Sequence, residues 1–112
     1  MKSKLLTIAT FLVSMNIGAG ELVTNATIVE LGNTNNNTKD FGMFLKGGRG
    51  ICSTSGRYRI VFPESKMGSQ STESYNQSFS IALSALATGM KVRIHNFEDN
   101  SCNGANFISV TK

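Results

Sequence analysis

One stretch of this chain has the period of a helix, and the runs around it have the period of strands. Tyr75, Phe79, Ala82, Leu83 and Leu86 form a stripe down a single helical face. Ser71 or Thr72 can cap its start, and Glu73 stands where the helix dipole favours an acid. Gly89 supplies the left-handed residue that ends it. A helix over approximately Glu73–Ala87 follows.

Three β-type runs precede it. Ala26–Leu31 is rich in β-branched residues, and Phe41–Lys46 is apolar and closed by Gly47-Gly48. Arg57–Phe62 alternates, with Tyr58, Ile60 and Phe62 on one face and Arg57, Arg59 and Val61 on the other. Two more follow. Val92–Phe97 puts Val92 and Ile94 inward and Arg93 and His95 outward, and Ala105–Val110 ends the set. Asn103-Gly104 is a turn dipeptide that predicts a hairpin between these last two. Gly32-Asn33-Thr34-Asn35-Asn36-Asn37-Thr38 reads as a loop between strands, and Gly47-Gly48-Arg49-Gly50 as a flexible turn. A lone helix must bury its stripe against a small antiparallel sheet. The expected fold is mainly β, a small α+β domain. Its form is an OB-like five-stranded antiparallel barrel with one helix between strands 3 and 4, the alternative being a split α+β sandwich with the same order.

The first twenty residues have a different character. Met1–Lys4 carries two cations and no acid, Leu5–Met15 is mostly apolar, and Gly18-Ala19-Gly20 offers small residues. That is the layout of a secretory signal peptide, too short to span a bilayer. Residues 1–20 are therefore read as a signal peptide and 21–112 as one domain, exported to the periplasm or the extracellular space. The whole chain of 112 residues has a formal charge of +4. Without Lys2 and Lys4 the balance is 9 basic against 7 acidic residues, a formal +2. Arg49, Arg57, Arg59 and Arg93 are scattered singly, so no basic face for nucleic acid is expected. No later segment is apolar enough to predict a membrane span.

Cys52 and Cys102 are the only cysteines and His95 the only histidine. In an oxidising compartment the cysteine pair predicts a disulfide, and a four-ligand zinc site has too few ligands. A thiol nucleophile would have His95 alone as its base. Glu98 and Asp99 are adjacent in an expected turn and should diverge rather than act as a carboxylate pair. The glycine run lacks the lysine and the following Ser/Thr of a phosphate loop. These shortages predict no enzyme, no metal and no cofactor.

Residues 78–95 end a helix in Thr88-Gly89 and, after two spacers, continue as Val92-Arg93-Ile94-His95. This phrase resembles the receptor-binding B subunits of subtilase cytotoxin and typhoid toxin. It is also similar to a group of small exported proteins of unknown function from marine gammaproteobacteria. The resemblance implies an OB-like fold and, for the toxin branch, a ring of five subunits binding sialylated glycans. Those subunits are longer and carry further cysteines and tryptophan. Their glycan-contacting residues match no position here, so no binding site is carried over. The expectation is a non-enzymatic binder of a glycan or a protein, with outward Tyr or Phe as a sugar-stacking surface. Its alternative is a periplasmic structural or inhibitory protein that binds another protein and has no sugar site.

Overall fold

The computed structural model describes residues 20–34, 39–67 and 71–112. The predicted signal peptide lies outside them except for Gly20. Of the asparagine-rich tract, 35–38 lie outside as well, while Gly32, Asn33 and Thr34 are strand rather than loop. The elements are β1 (Glu21–Thr34), β2 (Asp40–Lys46), β3 (Tyr58–Pro63), a 3-10 turn (Glu64–Lys66), α1 (Ser71–Thr88), β4 (Lys91–His95) and β5 (Phe107–Thr111). All pairings are antiparallel, in the order β3-β2-β1-β4-β5.

β1 is the long central strand, and it serves two neighbours by bending. Its first half pairs with β4 and its second with β2. The register shifts at Ile28/Glu30 against β2 and at Glu21/Val23 and Val23/Ala26 against β4. Asn25, at a positive φ of 61°, sits within the last of these. Such bulges add an unpaired residue and turn the strand.

The sheet is open, which corrects the expected barrel. β3 and β5 do not pair. The outer edge of β3 is occupied instead by the irregular segment 102–105. Val61 N–H donates to the Cys102 carbonyl at 2.9 Å, and Ala105 N–H donates to the Val61 carbonyl at 3.0 Å. Val61, read as outward from alternation, is buried, and its own N–H and carbonyl hold this segment. A covered edge cannot go on to take a strand, so the ladder stops there. The result is a small mixed α+β domain, one helix on a five-stranded sheet.

The core fills the space between sheet and helix. Phe41, Met43 and Leu45 of β2, Ile60 and Phe62 of β3, and Val92 and Ile94 of β4 are fully buried. Phe41 stacks on Phe62 with ring centroids 4.8 Å apart, and Tyr75 and Phe79 of α1 close over Phe41 at 5.3 and 5.2 Å. Ala82 and Ala85, both without bulk, let α1 approach the sheet. Leu83, placed in the stripe by its spacing, is half exposed, because Ala82 and Ala85 define the inward line. Gly89 ends the helix as expected, at φ +75°, and its N–H donates to the Ala85 carbonyl at 2.8 Å. The Thr72 hydroxyl is not a cap. It donates to Glu64 Oε2 at 2.9 Å, tying the helix start to the 3-10 turn.

The glycine run after β2 is tied down rather than flexible. Thr24 and Arg49 exchange backbone hydrogen bonds of 2.9 and 3.0 Å, and Cys52 N–H donates to the Leu22 carbonyl at 3.0 Å. Gly48 (φ +73°) and Gly50 (φ +149°) permit that approach. A Cβ at Gly48 would lie 2.6 Å from the Thr24 carbonyl oxygen, and one at Gly50 would collide with the Leu22 carbonyl. The neighbouring Cys52 is bonded to Cys102, with Cα atoms 5.9 Å apart.

Candidate functional site

The two edges of the sheet differ. β3 is covered by residues 102–105, whereas β5 has β4 on one side and no backbone partner on the other among the described residues. The His95 carbonyl accepts from Asn106 N–H at 3.0 Å, so His95 turns its main chain toward β5. Alternation along the paired strands then directs the peptide groups of Phe107, Ser109 and Thr111 to β4. Those of Ile108 and Val110 point outward. Phe107–Thr111 contains no charge and no proline, the usual guards of an exposed edge.

Beside this edge runs a groove of about 480 Å³ between α1 and the start of β5. Ser74, Gln77, Ser78 and Ile81 form its helical wall, and Phe97, Phe107 and Ile108 its sheet wall. Lys66 and Glu98 close one end through a 2.9 Å ion pair, which raises the lysine pKa. Phe97 is 66% exposed, the most exposed of the large apolar side chains among the described residues.

Phe97 is held out by the turn behind it. Asn96, fully buried, donates through Nδ2 to Asp99 Oδ1 at 2.6 Å and to the Ser101 carbonyl at 3.1 Å. Its Oδ1 accepts the N–H groups of Glu98 and Asp99. A buried amide with its donors and acceptor engaged fixes this turn in one conformation. Glu98 turns to Lys66 and Asp99 to Asn96, so the two carboxylates diverge as expected. Gly104 N–H bonds the Ser101 carbonyl in a further turn, so the two strands are joined by a longer folded loop rather than a tight Asn-Gly hairpin.

His95 lies on the outer face of β4 with Phe97 stacked on it at 5.1 Å and Phe107 edge-on at 5.7 Å. Arg93 sits over the Phe107 ring at 5.6 Å and donates from Nε to His95 Nε2 at 3.3 Å. An acceptor role for Nε2 leaves the proton on Nδ1, which is buried with no hydrogen-bond partner among the described residues. Burial and then the Arg93 charge lower the His95 pKa, opposed by Glu21. The sign follows from linkage. The unfolded chain takes up a proton near pH 6.5 that the folded chain still refuses, so stability falls as pH drops below that value. It levels off once the folded histidine is protonated too. Thermal unfolding between about pH 8 and 5 should show a steeper loss for the native chain than for His95→Gln. Parallel curves would remove His95 from this account.

Elsewhere on the outer face Arg57 pairs with Glu30 at 2.6 Å and covers Phe44 at 4.9 Å. Both ends of that ion pair are largely exposed, so it adds little stability. The outward aromatics are thus phenylalanines. Tyr58 is buried, with its hydroxyl donating to the Gly47 carbonyl, and Tyr75 packs on the core. No His, Cys, Asp and Glu group of three or more could hold a metal ion among the described residues. No helix among them is long and apolar enough to cross a membrane.

Sequence reasoning found His95 and Arg93 on their face but missed the groove. Met67, Ile81, Phe97 and Phe107 are distant in sequence and meet only once α1 lies beside β5. The one local signal was the uncharged final strand.

A model of a family of unknown function, DUF5992, matches residues 2–112. No curated protein and no solved structure matches the chain. The likeness of residues 78–95 to toxin B subunits is therefore not kinship. The five-subunit ring and the sialylated-glycan site fall with it. An amphipathic helix ending in Thr-Gly before a strand is a general solution to helix termination and too short to identify a family.

Proposed function

The chain belongs to the DUF5992 family, of unknown function, and we propose that it is an exported, non-catalytic protein-binding domain that accepts an extended strand along β5. The observation that carries this reading is the uncharged edge of β5, which has no backbone partner among the described residues, beside the groove against α1. A strand added there hydrogen-bonds through the outward peptide groups of Ile108 and Val110. Alternate side chains enter the groove, toward Ile81 and Ile108. This is strand addition, in which main-chain bonds give affinity and pockets give selectivity. Five residues of β5 offer roughly 17 Å of edge, the length of an ordinary strand.

Two further features support the reading. The signal-type leader and the Cys52–Cys102 bond suit an oxidising compartment outside the cytoplasm. His95 is enclosed by Phe97 and Phe107, and the acids Glu98 and Asp99 are turned apart, an arrangement suited to contact rather than proton transfer.

The test is to pan a display library of random peptides against the disulfide-intact domain and map the selected sequences by amide hydrogen exchange. Alternating, β-branched peptides that slow exchange at Ile108 and Val110 are the expected outcome. Selection of no peptide, or protection confined to other strands, would overturn the proposal.

A further inference from the structure

We infer that the strand received at β5 is β5 of a second copy of this chain, paired antiparallel across a two-fold axis at Ser109. The inference rests on the strand-accepting reading of the same edge and names its partner.

Self-complementarity of the strand is the first argument. Centred on Ser109, antiparallel pairing sets Phe107 against Thr111 and Ile108 against Val110 of the other copy. Residues of one face then meet residues of the same face. Ile108 and Val110 of both copies join the core side, and Phe107, Ser109 and Thr111 the outer side. A register one residue off would set core-facing side chains against outward ones. Because Ile108 and Val110 turn their peptide groups outward, they form the hydrogen-bonded pairs. Ser109 then faces its own copy in the closer, non-hydrogen-bonded relation, with Cα atoms roughly 4.5 Å apart. A serine fits where a large residue would collide with its own mate.

Charge is the second argument. No residue of Phe107–Thr111 is ionised, so the strand meets no like charge on itself. The nearest repeated cation is Arg93, one strand behind Ser109. Three strand spacings separate the two copies, roughly 14 Å, beyond the screening length in physiological salt. Lys112 lies opposite Asn106 of the other copy, which is neutral.

Burial is the third. Val110 is only partly buried in the single chain, and so is Ile81, which lines the groove beside it. The second β5 covers that apolar surface while pairing the free backbone of both copies. The product is a continuous ten-stranded sheet with neither β5 edge left open.

The experiment is sedimentation of the disulfide-intact chain up to millimolar concentration, with three variants and one peptide. The expected result is a doubling of mass at high concentration. Ser109→Lys, which places two ammonium groups at the axis on the outer face, should return the mass to that of one chain with unchanged circular dichroism. Ser109→Cys should cross-link to itself under mild oxidation. Thr111→Cys should not, since its two copies stand roughly 13 Å apart in this register. A chain that stays monomeric, a Ser109→Lys variant that still dimerises, or equal cross-linking at 109 and 111 would overturn the inference. A peptide of residues 106–112 separates this failure from that of the parent reading. A monomer that binds the peptide, with slowed exchange at Ile108 and Val110, overturns self-pairing and leaves strand acceptance standing. A monomer that ignores it, and from which panning selects nothing, overturns both.

Discussion

Replacing Cys52 and Cys102 together by serine is expected to lower stability by about 4 kcal/mol, the chain-entropy value for a closed loop of roughly 50 residues. The observed separation of 50 sets that figure. For a domain of this size it corresponds to a drop in Tm of roughly 15–30 °C. The bond also has a local effect. Cys102 and Ala105 supply the backbone that covers Val61, and Cys52 is anchored to Leu22 at the far end of the bond. Without it the 102–105 segment loses its tether, and β3 becomes a second open edge along Ile60, Val61 and Phe62. Aggregation on heating should therefore rise together with the fall in Tm. Circular dichroism melts with light scattering, run with and without reductant on the native chain, read both effects. A melting point within a few degrees of the native one would show that the bond is peripheral to the fold.

The second large effect is expected at Phe41. Its ring meets Phe62, Tyr75 and Phe79, so a single side chain links β2, β3 and α1. Phe41→Ala should cost about 3–5 kcal/mol, the lost transfer energy plus the cavity left between three rings. The cavity lies under the first half of α1, where Tyr75 and Phe79 are only partly buried and both lean on the Phe41 ring. Far-ultraviolet helix signal should accordingly weaken before the sheet melts. Phe41→Leu, which keeps most of the volume, should lose much less. A Phe41→Ala protein with native stability would mean that the rings close up freely around the gap.

Elements with a strong local cause were legible in the sequence. α1 was visible through its apolar period and Gly89, and its observed ends differ by two residues at the start and one at the finish. β2 and β3 lie within one residue of the runs read from composition. β1 was underestimated at both ends because Asn25, Gly32 and Asn33 are turn formers by local chemistry. Pairing with β4 on one side and β2 on the other overrides that preference. Val61 was misread because alternation describes a strand with one wet face, and at Ile60, Val61 and Phe62 both faces of β3 are buried.

The site was less legible still. His95, Arg93 and the divergence of Glu98 and Asp99 follow from position along a strand or turn. Whether an edge is covered depends on where the chain between β4 and β5 travels, and nothing local to β3 or β5 records that. The barrel failed for this reason. Five strands and a helix in the right order are necessary for closure, but the segment that reaches β3 is 102–105 rather than β5.

What this sequence determined by itself was its inventory: which runs form strands, where the helix stops, which two cysteines are there to join, and how few groups could do acid–base chemistry. These depend on neighbours within a few residues or on composition. Only the tertiary structure decided that the sheet stays open, that the β3 edge at Val61 is covered while no described residue covers that of β5, and that Phe97, Phe107 and Ile81 line one groove. Edges and grooves are made by pairs of elements far apart in the chain, and their geometry exists only after the long-range backbone bonds have formed.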